Sequence, residues 1–188
     1  MKTAPLLLIA LLALAACRDE QVAQDTTPQE MTAETLGHYC QMNLLEHPGP
    51  KAQVHLEGMP PLFFSQVRDA IAYARGPEQV APILAIHVND MGAAGASWDD
   101  PGRGNWIVAD DAFFVLGSAR EGGMGAPETV PFSSREAAET FAAREGGQIL
   151  PLARITDDMV LTPIETGDPG ENDDDYLRRL RALTPSES

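Results

Sequence analysis

The sequence predicts an α+β protein made of two similar small halves, each of ββαβ type with an antiparallel sheet. Three observations predict this class: a helical apolar period occurs twice, each copy ends at glycine, and each is followed by a strand-like run. The two helical stretches align as a weak internal repeat, in which Ala70 matches Ala138 and Tyr73 matches Phe141. Chance similarity between two alanine-rich helices is the alternative to a true repeat.

The first half is predicted over residues 36–92. Its elements in chain order are a strand at 54–57, a helix over 67–74 and a strand at 83–88. Ser65 stands before the helix and is predicted to cap it, because a serine hydroxyl accepts hydrogen bonds from the free N–H groups of a first turn. Gly76 follows the helix and is suited to a left-handed C-cap.

The second half is predicted over residues 93–163. Its elements are strands at 106–109 and 113–116, a helix over 137–142 and a strand at 149–155. The first two strands are predicted to form a hairpin, with Asp110 and Asp111 near its turn. Ser133 and Gly146 are predicted to bound the helix in the same way as in the first half.

Residues 1–16 are typical of the signal peptide of a bacterial lipoprotein. Lys2 precedes an apolar run that is too short to be a good membrane span. The run ends in Leu14-Ala15-Ala16-Cys17, which has the form of a lipobox, whereas an ordinary signal peptide with an incidental cysteine is the alternative. We therefore expect Cys17 to carry a lipid that anchors the chain, facing the periplasm, to a bacterial membrane. Arg18 weakly favours the outer membrane.

Polar segments flank the two halves. Residues 17–35 show no sustained period and are predicted to be a flexible tether, and residues 164–188 are predicted to be an acidic, disordered tail. The chain has 28 Asp and Glu against 13 Lys and Arg, a formal net charge of −15. This balance argues against nucleic-acid binding, because the phosphate backbone would be repelled.

Lipidation of Cys17 would leave Cys40 as the remaining thiol of the chain, which has two cysteines. A thiol outside the cytoplasm is open to oxidation, so Cys40 is either buried and inert or kept as a metal ligand or nucleophile. Met42 lies two residues on, and in an extended segment both side chains would point the same way. A thiolate with a thioether is a soft donor set that suits Cu(I) better than Zn²⁺, Mg²⁺ or Ca²⁺.

Further sulfur and imidazole donors lie in loop-like segments. Met124 stands between Gly123 and Gly125, where a flexible backbone would let its sulfur reach a metal ion and leave it again. His47 and Met91 are weaker candidates, because such side chains often serve packing. The chain has no nucleophile elbow, phosphate-binding loop, C-x-x-C-H or H-E-x-x-H pattern, so the sequence does not favour an enzyme.

These features together resemble the NosL family, the copper chaperones of nitrous oxide reductase maturation. The resemblance depends on their order: the lipobox, Cys40-x-Met42, Glu46 to Gln53, Asn89-Asp90-Met91, Trp106 to Val115 and Gly123-Met124-Gly125. It implies a fold related to organomercurial lyase, one Cu(I) per chain, and an ABC-type membrane complex as partner on the way to nitrous oxide reductase. It assigns Cys40, Met42 and Met124 as copper ligands and ranks His47 and Met91 below them. The chain departs from the family in having a glycine, rather than a proline, directly before Met124.

The sequence therefore predicts a lipid-anchored Cu(I) chaperone that faces the periplasm. The alternative is a metal-free lipoprotein that serves as a binding or scaffold module, in which Cys40 is buried and Met42 packs. An enzyme of the organomercurial lyase type would share the fold, but that chemistry needs more than one cysteine beside an acid.

Overall fold

The structure, a computed structural model, describes residues 23–161. The signal peptide predicted over 1–16, the lipidated Cys17 and the acidic tail predicted over 164–188 lie outside the described residues, and they stay predictions. Within the range that the structure describes, no helix is both long and apolar enough to cross a membrane.

Two antiparallel sheets with helices packed against them form the fold, so the predicted α+β class is confirmed. The elements of the first sheet and its helix are β1 (Ala52–Leu56), β2 (Leu62–Phe64), α1 (Val67–Arg75), β3 (Ile83–Asn89) and β4 (Trp106–Val108). The later elements are β5 (Phe113–Leu116), β6 (Val130–Phe132), α2 (Arg135–Glu145), β7 (Gln148–Pro151) and α3 (Asp157–Leu161). The strand order is β2-β1-β3-β4 in the first sheet and β6-β5-β7 in the second.

The two sheets repeat one topology. In the first, β1 pairs with β2 and then with β3, which returns after α1 to lie on the other side, so that Val54 faces both Leu62 and Ile86. In the second, β5 is central in the same way, between β6 and the strand that returns after α2. The weak sequence repeat thus corresponds to a repeated ββαβ arrangement.

Strand β4 pairs with β3 instead of β5, so the predicted hairpin is wrong. Residues 109–111 form one 3₁₀ turn that leads from the first sheet to the second. The cause is the burial of apolar side chains. Ala109 and Ala112, on either side of the two aspartates, are buried in the main core, so the chain passes from one sheet to the other between them. Strand β4 thus completes the first sheet, although it lies within the range 93–163 predicted for the second domain; the domain limits stay a prediction.

Strand β5 contributes to two cores because its side chains alternate between its faces. Phe114 and Leu116 belong to the main cluster, together with residues of β1 and α1. Val115 belongs to a second cluster, which also contains Phe132 and Phe141 beneath α2. The second sheet therefore lies between the first half and α2, and this packing brings the loop before β6 close to the start of α1.

The N-cap of each helix lies one residue after the serine predicted to cap it. At α2, Ser134 caps the helix by accepting a backbone N–H at 3.2 Å, while the hydroxyl of Ser133 donates to the carboxylate of Asp90 at 2.5 Å. At α1, the N-cap residue is Gln66 and not Ser65. The amide of Gln66 is directed to the second half, as described below.

The C-terminal ends of the helices also differ. Gly146 after α2 has a φ of 77°, the positive value predicted for it, whereas Gly76 after α1 has a φ of −74°. The predicted left-handed cap at Gly76 is therefore wrong. The amide of Gln79 donates there to the carbonyls of Tyr73 and Ala74 at 2.9 and 2.8 Å, so it satisfies helix-end acceptors that a left-handed glycine would otherwise help to pair.

Part of the segment predicted as a flexible tether lies against the first sheet. We call residues 24–31 the N-terminal strap. The backbone of Gln29 and the side-chain amide of Gln53 exchange two hydrogen bonds, of 2.9 and 3.0 Å, and Met31 is buried. The strap covers the polar face of β1, whose buried groups need such partners. The described portion of residues 17–35 therefore contacts the first sheet, and the flexibility predicted for the tether stays a prediction.

Candidate metal centre

Cys40 and Met42 lie on a tight turn. The turn is closed at its base by an isolated bridge between Leu36 and Asn43. Between the two sulfur-bearing residues, Gln41 has a φ of 54°, a left-handed conformation that reverses the chain. The prediction of an extended segment is wrong here, because the closure at Leu36 and Asn43 leaves room only for a reversal.

The turn leaves both sulfur side chains in reach of solvent. Cys40 is partly exposed, and Met42 is 41% exposed. A Cβ atom on Gly37 would lie only 2.4 Å from the Cys40 sulfur, so the glycine is what gives the thiol its space. Beneath the turn, Leu44 is fully buried and anchors it to the fold. The metal-free alternative required a buried thiol and a packed Met42, and neither condition is met.

Met124 lies at the tip of a loop over residues 121–127 and is 45% exposed. The loop has a defined shape, because the N–H of Gly122 donates to the carbonyl of Ala126 at 2.8 Å. The N–H of Met124 itself donates to the side-chain oxygen of Gln66 at 3.2 Å. The flexible backbone expected from its glycines is thus replaced by a backbone held at several points, while the side chain stays free.

His47 connects the segment that follows the Cys40–Met42 turn with the loop that carries Met124. Its Nδ1 lies 3.1 Å from the carbonyl oxygen of Gly123. Because a carbonyl only accepts, Nδ1 must carry the proton, and the neutral ring then keeps a lone pair on Nε2 that could bind a metal. A Cβ atom on Gly123 would lie 2.7 Å from the Cβ of His47, so this close approach requires glycine.

A buried ammonium group lies behind this contact. Lys51 is 1% exposed, and its Nζ donates to the carbonyl of Pro48 at 2.9 Å and also to that of Gly49. Burial lowers the pKa of Lys51 to about 8, and the negative charges of Glu128 and Cys40 oppose that shift. A thiolate at Cys40 therefore has a buried positive charge within electrostatic reach.

Glu128 is the buried carboxyl group of the same region. Burial raises its pKa to about 8, and hydrogen bonds from the N–H groups of Arg68 and Thr129, at 3.1 and 2.8 Å, oppose the rise. Its other oxygen, Oε2, has no hydrogen-bond partner among the described residues. A Cβ atom on Gly122 would come within 2.4 Å of that oxygen, so the Met124 loop packs directly on the carboxyl group.

The structure brings some predicted residues into one region and leaves one apart. Cys40 and Met42 share a turn, and His47, at the end of the next short helix, contacts the loop of Met124. Met91 packs against the second core, and its N–H donates to the carbonyl of a β6 residue at 3.0 Å, so it lies with packing residues. Within residues 23–161 no three or more His, Cys, Asp or Glu side chains are grouped to hold a metal ion.

The sequence did not predict three buried polar residues of this region: Lys51, Gln66 and Glu128. Amide and charged side chains are mostly exposed in folded proteins, so nothing in their spacing marks these as buried. Lys51 lies within the segment Glu46 to Gln53, in which no local pattern marks a buried ammonium group.

Comparison with known proteins agrees with this fold. A family model described as NosL matches residues 28–160. A protein named copper-binding lipoprotein NosL, from Achromobacter cycloclastes, is 74% identical over 176 residues, which covers 93% of this chain and 91% of that protein. A protein of the same name from Stutzerimonas stutzeri is 31% identical over 137 residues, or 72% of this chain and 70% of that one.

A solved structure is also similar. The crystal structure of the copper chaperone NosL from Shewanella denitrificans matches with a TM-score of 0.65 at 29% identity, over 71% of this chain and 98% of that chain. The matched range, 28–160, includes both ββαβ units and every candidate metal ligand discussed above. The chain therefore belongs to the NosL family.

Proposed function

We propose that the chain is a lipid-anchored carrier of one Cu(I) ion that faces the periplasm and passes the ion on for the maturation of nitrous oxide reductase. The observation that supports this most is the contact of His47 with the Met124 loop, because it joins that loop to the segment that follows the Cys40–Met42 turn. The names of the relatives, copper-binding lipoprotein and copper chaperone, point the same way.

The donors suit a carrier. A Cys40 thiolate with the thioethers of Met42 and Met124 forms a soft, low-coordinate set that prefers Cu(I) to harder ions. The two thioethers are 41% and 45% exposed, so an acceptor ligand can bind the ion before a donor ligand leaves. Transfer then proceeds by ligand exchange without free copper. Binding requires the thiolate, so it releases a proton and strengthens as the pH rises.

The anchor gives the carrier its place of action. Lipidation of Cys17 would confine the chain to the membrane surface, where its effective concentration near a membrane partner is high. The partner that we propose is an ABC-type membrane complex of the same maturation system, from which copper reaches nitrous oxide reductase directly or indirectly. The chain then acts by carrying the ion and not by catalysing a reaction.

An anaerobic competition titration against a colorimetric Cu(I) chelator tests the binding step. The full chain in detergent should bind one Cu(I), and Cys40→Ser should weaken binding by well over tenfold, or more than about 1.4 kcal/mol. Met124→Leu should weaken it less, because a thioether is the weaker donor. Met59→Leu is the matched control, since Met59 is also a loop methionine, 37% exposed, and should change nothing. A wild-type chain that ignores Cu(I) would favour the metal-free scaffold.

Delivery needs a second experiment in cells that lack the chain. Wild type should restore the copper content of nitrous oxide reductase, whereas Cys40→Ser, at equal abundance in the membrane fraction, should not. Cys17→Ser should keep Cu(I) affinity in vitro but lower delivery, because the anchor is lost. Full delivery by Cys40→Ser would contradict the proposed route.

A further inference from the structure

We infer that Gln66 is a positioning residue for the copper ligand Met124: its buried amide holds the loop that presents the thioether. The inference rests on the proposed function, because it concerns the same copper site. It adds a residue from the first ββαβ unit that acts on a ligand carried by the second unit.

The amide of Gln66 contacts the loop with both of its ends. Its Oε1 accepts the backbone N–H of Met124 at 3.2 Å, and its Nε2 donates to the carbonyl of Ala126 at 3.2 Å. The two bonds hold the N–H of Met124 and the carbonyl of Ala126, the residues before and after Gly125, which has a φ of 75°. They therefore set both the position and the direction in which the Met124 side chain leaves the backbone.

Of these two hydrogen bonds, which together we call the Gln66 bracket, the one to Ala126 is buried and the one from Met124 is part-buried. Gln66 is fully buried, and Gly122 lies so close that a Cβ atom there would be 2.4 Å from Nε2 of Gln66. Next to it, the carboxyl group of Glu128 accepts the N–H of Arg68, which fastens the end of the loop to the first turn of α1. A shorter side chain at position 66 would leave the part-buried N–H of Met124 without this partner, while the carbonyl of Ala126 would keep only the N–H of Gly122.

Such a bracket matters because methionine is a flexible ligand. Rotation about the first two side-chain bonds moves the sulfur, so the position of the backbone limits the region that the sulfur can reach. If the loop backbone moves, the thioether samples positions away from the ion, and the affinity falls although no ligand has been removed. Groups that orient metal ligands typically change metal affinity by about 10-fold to 100-fold when they are lost.

The test compares Gln66→Ala with Gln79→Ala in the full chain. Gln79 is a matched control, because its amide also pairs with backbone carbonyls, at the other end of α1, at 2.8 to 2.9 Å. We expect Gln66→Ala to weaken Cu(I) binding by about 10-fold to 100-fold and Gln79→Ala to leave it unchanged. In a Met124→Ala background the effect of Gln66→Ala should vanish, and X-ray absorption should count one sulfur fewer around copper in Gln66→Ala alone.

Each result decides the inference. Equal affinities for Gln66→Ala and Gln79→Ala, or an effect of Gln66→Ala that persists without Met124, would overturn it. If Met124→Ala has no effect while Cys40→Ser still abolishes binding, the positioning role fails and the proposed function stands. If wild type itself binds no Cu(I), the proposed function fails first. Should Gln66→Ala not fold, Gly122→Ala disturbs the same bracket from the loop side and should give the same loss of one sulfur.

Discussion

Replacing Glu128 by glutamine should raise the stability of the fold at neutral pH and leave it nearly unchanged in acid. Burial raises the pKa of this carboxyl group to about 8 in the folded chain, against an ordinary value of 4.5. The folded state therefore holds a proton that the unfolded state releases. The contribution of Glu128 is fully present below about pH 4.5 and is lost as the pH rises through about 8.

The magnitude follows from the distance between the pH and the unfolded pKa. At pH 7 the penalty is on the order of 3 kcal/mol, at about 1.4 kcal/mol for each pH unit above 4.5. Glutamine keeps the oxygen that accepts the N–H groups of Arg68 and Thr129. Its amide nitrogen takes the place of Oε2, which has no partner among the described residues, so part of the gain is lost. We expect a net gain of about 1–3 kcal/mol at pH 7.

Urea unfolding of the full chain in detergent, followed by tryptophan fluorescence between pH 4.5 and 8.5, measures this gain. The difference between Glu128→Gln and wild type should grow with pH and level off near pH 8. Glu121→Gln is the control, because Glu121 is an exposed carboxylate on the same loop; it should alter the free energy of unfolding by less than about 0.5 kcal/mol at each pH. A Glu128→Gln difference of one size at every pH would refute the ionisation argument.

Acid should weaken the fold through His55 and His87, because burial lowers the pKa of both rings. The unfolded chain then binds more protons than the folded chain. The contribution of the two rings to stability is therefore present above about pH 6.5, and below it falls by up to about 1.4 kcal/mol per pH unit for each ring. Urea midpoints of wild type and His87→Gln at pH 7 and 5 measure this, and parallel losses would contradict it. Ser134→Ala removes the N-cap of α2 and should cost about 1 kcal/mol in the same assay; an unchanged midpoint would show that the cap is dispensable. Gly147→Ala should cost more than about 2 kcal/mol, because its φ is 97° and a Cβ atom would lie 2.7 Å from the carbonyl oxygen of Leu116. A change in thermal midpoint no larger than that of Ser134→Ala would show that the backbone there yields.

The repeated ββαβ order could be predicted because local signals carry it. Apolar residues recur at helical spacing around Ala70 and again around Ala138, and both positions are fully buried in the structure. The glycine after α2 stops that helix as expected. These signals lie within about a dozen residues of one another, which is the range that periodicity describes.

Strand partners could not be predicted in the same way. Strands β4 and β5 are both short and apolar, and each could follow the other in a hairpin, so the sequence favoured the nearer pairing. The burial of Ala109 and Ala112 decides against that hairpin, and this burial depends on how the two sheets pack. The N-terminal strap was missed for a related reason: Gln29 pairs through its backbone with a side chain 24 residues away.

The candidate site likewise contains residues that could be predicted from the sequence and residues that could not. The sulfur residues could be proposed from chemistry alone, because a single thiol after a predicted lipoprotein signal and a methionine between glycines are both unusual. Their supports could not: Gln66 and Met124 are 58 residues apart in sequence, and His47 and Gly123 are 76 apart. No local pattern predicts such contacts, and the polar types involved are ordinarily exposed.

The contacts of Gln66 and His47 with the Met124 loop limit how that loop can move during the proposed copper transfer. Glycines on both sides of Met124 suggested a loop that swings, but Gln66 holds the loop at the N–H of Met124 and His47 holds it at the carbonyl of Gly123. The movement left to Met124, the proposed ligand, is rotation of its own exposed side chain, which occurs far faster than loop rearrangement. We therefore expect the ion to stay on Cys40 while the thioether turns aside for an acceptor ligand. A held backbone then favours retention of the ion, and a free side chain allows its release, so neither property has to be given up for the other.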